Sequence, residues 1–113
     1  MTSFYNVVNN FRTVLAEDLP ASQTYLYLED DDGIPSYPCV LTIWNTSVAS
    51  NPNDDPTMEI VILSADYAGD GKHTITRAAE DTNDVAHSAG DVCACLMTAG
   101  IITQIQDAIN ALE

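Results

Sequence analysis

Met58-Glu59-Ile60-Val61-Ile62-Leu63-Ser64-Ala65, then Gly69-Asp70-Gly71, then His73-Thr74-Ile75-Thr76-Arg77 decides the fold class of this 113-residue chain. The first run is short, apolar and β-branched, which suits a strand with at least one buried face. The glycine-rich turn is short enough to send the chain straight back, and the second run returns as the next strand. Together they predict an antiparallel β-hairpin.

Working outward, Cys39-Val40-Leu41-Thr42-Ile43-Trp44 predicts a further apolar strand, and Thr24-Tyr25-Leu26-Tyr27-Leu28 is rich in strand formers. Between them lie the acidic turn Glu29-Asp30-Asp31-Asp32-Gly33 and two prolines, Pro35 and Pro38. Residues 45–56 hold Asn, Ser, Asp and two prolines with few apolar anchors, and predict an exposed loop. After a polar loop at 79–90, Val92-Cys93-Ala94-Cys95-Leu96-Met97 supplies the last strand. The expectation is a mainly β chain: a compact antiparallel β-sandwich or barrel-like domain over 13–97, with a short C-terminal helix.

The two ends read differently. Phe4, Val7, Val8 and Phe11 have helical spacing, but asparagines and valines are poor helix formers. Residues 1–12 are therefore an arm or a short helix. At the other end Thr98 is a candidate cap for a helix over 98–113. There Ile102, Ile105, Ile109 and Leu112 follow the 3-4-3 spacing of a coiled-coil seam. Isoleucine at both seam positions favours trimers or tetramers. So short a helix must pack on something: its own β domain, or copies of itself.

Seventeen acids against three bases give a formal charge of −14. That field repels phosphate and anionic lipid, so neither nucleic acid nor membrane is an expected partner. The composition fits either a salty environment or ordinary solubility. There is no signal-peptide pattern at the amino end and no apolar run of membrane-spanning length, which predicts a soluble chain not exported by the standard route. The three cysteines lack C-x-x-C spacing, and Cys39, Cys93 and Cys95 read as small buried hydrophobes. In the acidic turn an EF-hand would need an oxygen ligand at 28 and glutamate at 39, where Leu28 and Cys39 stand. That turn and Asp54-Asp55 thus read as solvated acids. Cys93, His87 and Asp91 could be assembled on paper as a nucleophilic triad, but apolar neighbours and an anionic field oppose a thiolate. No catalytic, metal or cofactor residue is assigned, and the chain is expected not to be an enzyme. Glu59 and Arg77 face each other across the hairpin and predict a structural ion pair; the alternative is that Arg77 holds an acidic partner.

Four pieces of sequence form a pattern: Met58-Glu59-Ile60-Val61, Thr74-Ile75-Thr76-Arg77-Ala78-Ala79-Glu80-Asp81-Thr82, His87-Ser88-Ala89-Gly90-Asp91, and Thr98-Ala99-Gly100-Ile101. The stretch from Glu59 to the carboxyl end resembles a module common in tailed-phage virion proteins. There a glutamate-bearing strand is followed by a hairpin, Thr-x-Thr-Arg-Gly-x-x-Gly-Thr, His-x-x-Gly, an apolar strand and a threonine-capped helix. The region from Leu15 to Ile43 is similar in strand order, with Gly33-Ile34-Pro35-Ser36 where the family often has a Phe-Pro turn. The module's two glycines are replaced here by Ala78 and Asp81, which predicts a turn of different shape.

The resemblance implies a virion structural protein: a capsid decoration (cement) or head-fibre protein that binds and stabilises the assembled capsid. Its partners would be copies of itself, as a homotrimer, and the major capsid protein or other virion proteins. The short length favours decoration over a tail-fibre, neck or baseplate adaptor. A reading of another class is a carbohydrate- or protein-binding module using Tyr25, Tyr27, Tyr37 and Trp44.

Overall fold

The apolar run at the heart of the hairpin lies in the middle of a six-stranded antiparallel sheet. A computed structural model describes residues 11–30, 32–35, 37–65, 72–96 and 98–112. The strands are β1 (Arg12–Val14), β2 (Tyr25–Tyr27), β3 (Cys39–Trp44), β4 (Glu59–Ala65), β5 (Lys72–Ala79) and β6 (Val92–Ala94). One helix, α1 (Ala99–Asn110), follows. The chain is mainly β, with the sheet order β1-β6-β3-β4-β5-β2.

The sheet curls into a half-barrel, and its two edge strands meet. Leu15 and Leu28 form an antiparallel bridge, flanked by Ala16 N–H donating to Tyr27 O (2.9 Å) and Glu29 N–H to Val14 O (3.0 Å). These bonds satisfy backbone groups that an open edge would expose. A second bridge, Leu19 with His87, ties the 79–90 loop to the segment before Pro20.

Period-two alternation sorts the side chains. Cys39, Leu41 and Ile43 of β3 face inward with Val61 and Leu63 of β4, Ile75 of β5 and Cys93 of β6, all fully or nearly fully buried. Trp44, Val92 and Ala94 point the other way and pack with Val14 and Met58 as a smaller cluster. Phe11 joins the inner core and Arg12 starts β1, so the β domain reaches two residues further forward than 13. Residues 1–10, where the arm or helix was expected, and 68–71 of the expected tight turn lie outside the described residues.

The loop at 45–56 departs from its reading as wholly exposed. Pro52–Asp54 form a 3-10 turn, and Asp55 is buried. Its carboxylate accepts from Asn45 N–H (2.9 Å), Thr57 N–H (2.8 Å) and the Thr57 hydroxyl (2.7 Å). Burial alone would raise this carboxyl, but those bonds hold it below its ordinary range. Asp55 thus closes the loop by supplying acceptors to backbone donors, and is not a solvated acid.

The buried Glu59 cluster and the exposed face of the C-terminal helix

Glu59 and Arg77 lie on the inward faces of β4 and β5, where a hydrophobic core would be expected. A β-bulge brings them together. Ile60 pairs with Ala79 and Ile62 with Thr76, so one extra residue is inserted in β5 at Arg77–Ala78. Ala78 takes φ +53° there, the left-handed conformation that glycine adopts at least cost. The bulge turns the Ala78 N–H onto Glu59 Oε2 (2.9 Å). Farther round, Glu80 (φ +53°) and Asp81 (φ +66°) are left-handed too. The turn thus holds three left-handed non-glycine residues, of which aspartate tolerates the conformation best and alanine pays its Cβ cost.

The ion pair is bidentate: Arg77 Nε donates to Glu59 Oε2 and Nη2 to Oε1, both at 2.9 Å. Arg77 also donates through Nη1 to the Pro20 and Gln23 carbonyls (2.9 Å each) and through Nη2 to the Val85 carbonyl (2.7 Å). All five guanidinium donors are thereby used within the chain, and the side chain is only 6% exposed. Arg77 has nothing left to offer an acidic partner, which removes that alternative. Asp84 adds an ion pair at 3.0 Å.

His87 completes the cluster. Its Nε2 lies 2.8 Å from Glu59 Oε1; an ionised carboxylate only accepts, so Nε2 carries the hydrogen. Burial pushes the Glu59 carboxyl upward, but His87, Arg77 and the Ala78 N–H outweigh it and hold it at about 2. Glu59 is 0% exposed, with every acceptor site engaged. The arrangement braces β4, β5 and the 79–90 loop against one another, and leaves no carboxylate oxygen free for a substrate. His87 is committed to Glu59, with Nδ1 4.0 Å from Asp91 Oδ2, and is no partner for Cys93. The Cys93 thiol is pushed up by burial and then by Asp91; burial also pushes Cys39 up, to about 12. All three cysteines are free and buried. Among the described residues no group of three or more His, Cys, Asp or Glu converges on a metal position.

Glu80 links this brace to the helix. The Thr98 hydroxyl donates to Glu80 Oε2 (2.7 Å) while Gly100 N–H donates to Oε1 (2.6 Å). Thr98 Oγ1 also accepts from Ile101 N–H at 3.4 Å. A carboxylate at a helix N-terminus satisfies free N–H groups and suits the helix dipole. Gly100 makes room for it: a Cβ there would stand 2.6 Å from the Glu80 carboxylate.

Beyond that clamp the helix leaves the domain. Among the described residues no strand packs against α1, and Ile101 is its one buried residue. Ile102 (46%), Ile105 (46%), Ile109 (55%) and Leu112 (86%) are exposed. The first three share one face of α1, and Leu112 follows in the closing turn, with its N–H on Ile109 O at 3.1 Å. At the foot of α1 a shallow groove is lined by Met58, Ile60, Leu96 and Ala99. No helix among the described residues is long and apolar enough to cross a membrane.

The strand aromatics do not form one platform. Tyr25 and Tyr27 meet edge to face on β2, the Tyr37 hydroxyl bonds His73 Nδ1, and Trp44 is buried in the smaller cluster. No protein-family model, curated protein or solved structure matches this chain.

Proposed function

We propose that this chain is a structural protein of a tailed-phage-like virion: a capsid decoration or head-fibre protein that self-associates, as a homotrimer, and binds the assembled capsid. The observation that carries the reading is the row Ile102, Ile105 and Ile109, extended by Leu112, held away from the β domain by the Thr98–Glu80–Gly100 clamp. A helix of this length is marginal alone, and an exposed apolar row of this kind marks an interaction surface. The left-handed conformation at positions 78 and 81, where the resembling module carries glycine, further supports that resemblance.

The physical role is binding energy. A protein that binds the assembled shell and not its free subunits stabilises the shell by mass action. The test is the copy number per purified particle. Decoration predicts many copies, in a ratio set by capsid symmetry, lost together with the particle's resistance to heat when the protein is stripped. A few copies at one vertex or along the tail would replace this reading with an adaptor, and absence from particles would end it.

A further inference from the structure

We infer that self-association through α1, which rests on the reading above, is promoted by salt: mobile ions, and not complementary side-chain charges, allow the acidic bodies to come together. The sequence carries 17 acids and three bases, and each base is engaged inside its own chain. Arg77 is consumed by Glu59 and the loop carbonyls. The Arg12 guanidinium lies 5.5 Å from the Trp44 ring centroid, and Lys72 Nζ lies 4.2 Å from that of Tyr25. Exposed acids such as Glu17, Glu29, Asp32, Asp54 and Asp81 are spread over the domain. Two copies therefore meet as like-charged bodies with no basic patch to answer an acidic one.

The helix is built differently. Over Ala99–Asn110 its single charge is Asp107. At about 100° per residue, Asp107 falls on the side away from Ile105 and Ile109. The seam face is uncharged, so salt has no interfacial ion pair to weaken, while the repulsion between the attached domains is open to screening. The protein, helix included, measures 46 × 34 × 26 Å. The Debye length is about 30 Å at 0.01 M salt and about 3 Å at 1 M. Repulsion thus reaches a distance comparable to the molecule's own width at low salt and barely past a side chain at high salt.

Sedimentation equilibrium of the full chain in NaCl at those two concentrations reads the effect directly. The dissociation constant should fall roughly tenfold or more as salt rises across that range. High salt also strengthens apolar contact, so the triple variant Glu17→Lys, Glu29→Lys, Asp32→Lys is measured alongside. With three exposed acids reversed and the helix untouched, it should associate more tightly than the wild type at low salt and respond less to salt. Association that is indifferent to salt or weakened by it, or a variant with the wild-type salt response, overturns this inference and leaves the seam standing. A monomer at every salt concentration overturns the seam itself.

Discussion

The Glu59 cluster and the α1 helix are opposites in how they use their chemistry. At Glu59 a carboxylate, a guanidinium and an imidazole are buried together, and every donor and acceptor that the ion pair offers is taken up within the chain. On α1 large aliphatic side chains stand exposed, and among the described residues no strand packs against the helix. The first region is closed and serves stability; the second is open, with its aliphatic row exposed. Buried polar groups do not by themselves indicate a site, and the more informative feature here is the apolar row left outside.

Breaking the closed half should have the largest effect. Arg77→Met leaves Glu59 buried without its counter-charge, for an expected loss of about 3–5 kcal/mol, read by urea unfolding. Arg77→Lys should rescue little, because an ammonium cannot reproduce the bidentate fork. An Arg77→Met protein as stable as the wild type would show that the cluster braces nothing.

Acid should act on the same half. The Glu59 carboxyl, at about 2 in the folded chain, lies below its ordinary unfolded value of roughly 4.3. Its contribution is therefore complete above that ordinary value and is lost as pH falls toward 2. Asp55, also lowered, has the same sign. Unfolding measured between pH 5 and 2 should show stability falling throughout, and Glu59→Gln, already less stable at neutral pH, should fall less steeply. Equal slopes would contradict this assignment.

The joint between the halves gives smaller effects. Gly100→Ala drives the Glu80 carboxylate off the helix N-terminus, for about 1 kcal/mol, and loosens α1 without unfolding the sheet. Amide exchange at Ile101 and Ile102 against that of β4 distinguishes the two; equal acceleration in both would show that the clamp belongs to the global fold. Ala78→Gly should change stability in the other direction, by roughly 0.5–1 kcal/mol, by relieving a left-handed alanine at the bulge.

Much of this was legible in the sequence because it follows periodicity. β3 covers the six residues read as a strand, the hairpin pairs as expected, and Thr98 caps the helix. Glu59 and Arg77 could be matched as opposite charges on adjacent strands. His87 could not, since it lies 28 residues from Glu59 in a polar loop and reaches it through the Leu19 bridge. Glu80 was hidden among exposed-looking acids, and only the tertiary turn brings it to Gly100. Asp55 was misread because its burial answers backbone N–H groups, which leave no apolar pattern. The one sequence signal was Asp55-Pro56-Thr57, whose aspartate caps the N–H two residues on.

Self-association through the open half is tested most directly by the mass of the full chain in solution. At moderate salt and micromolar concentration the wild type should sediment as an oligomer, with a trimer expected. Ile105→Asp with Ile109→Asp should sediment as a monomer whose β-sheet circular dichroism and urea midpoint are close to those of the β domain in the wild type. A wild-type monomer, or a double variant that keeps the wild-type mass, would contradict the account.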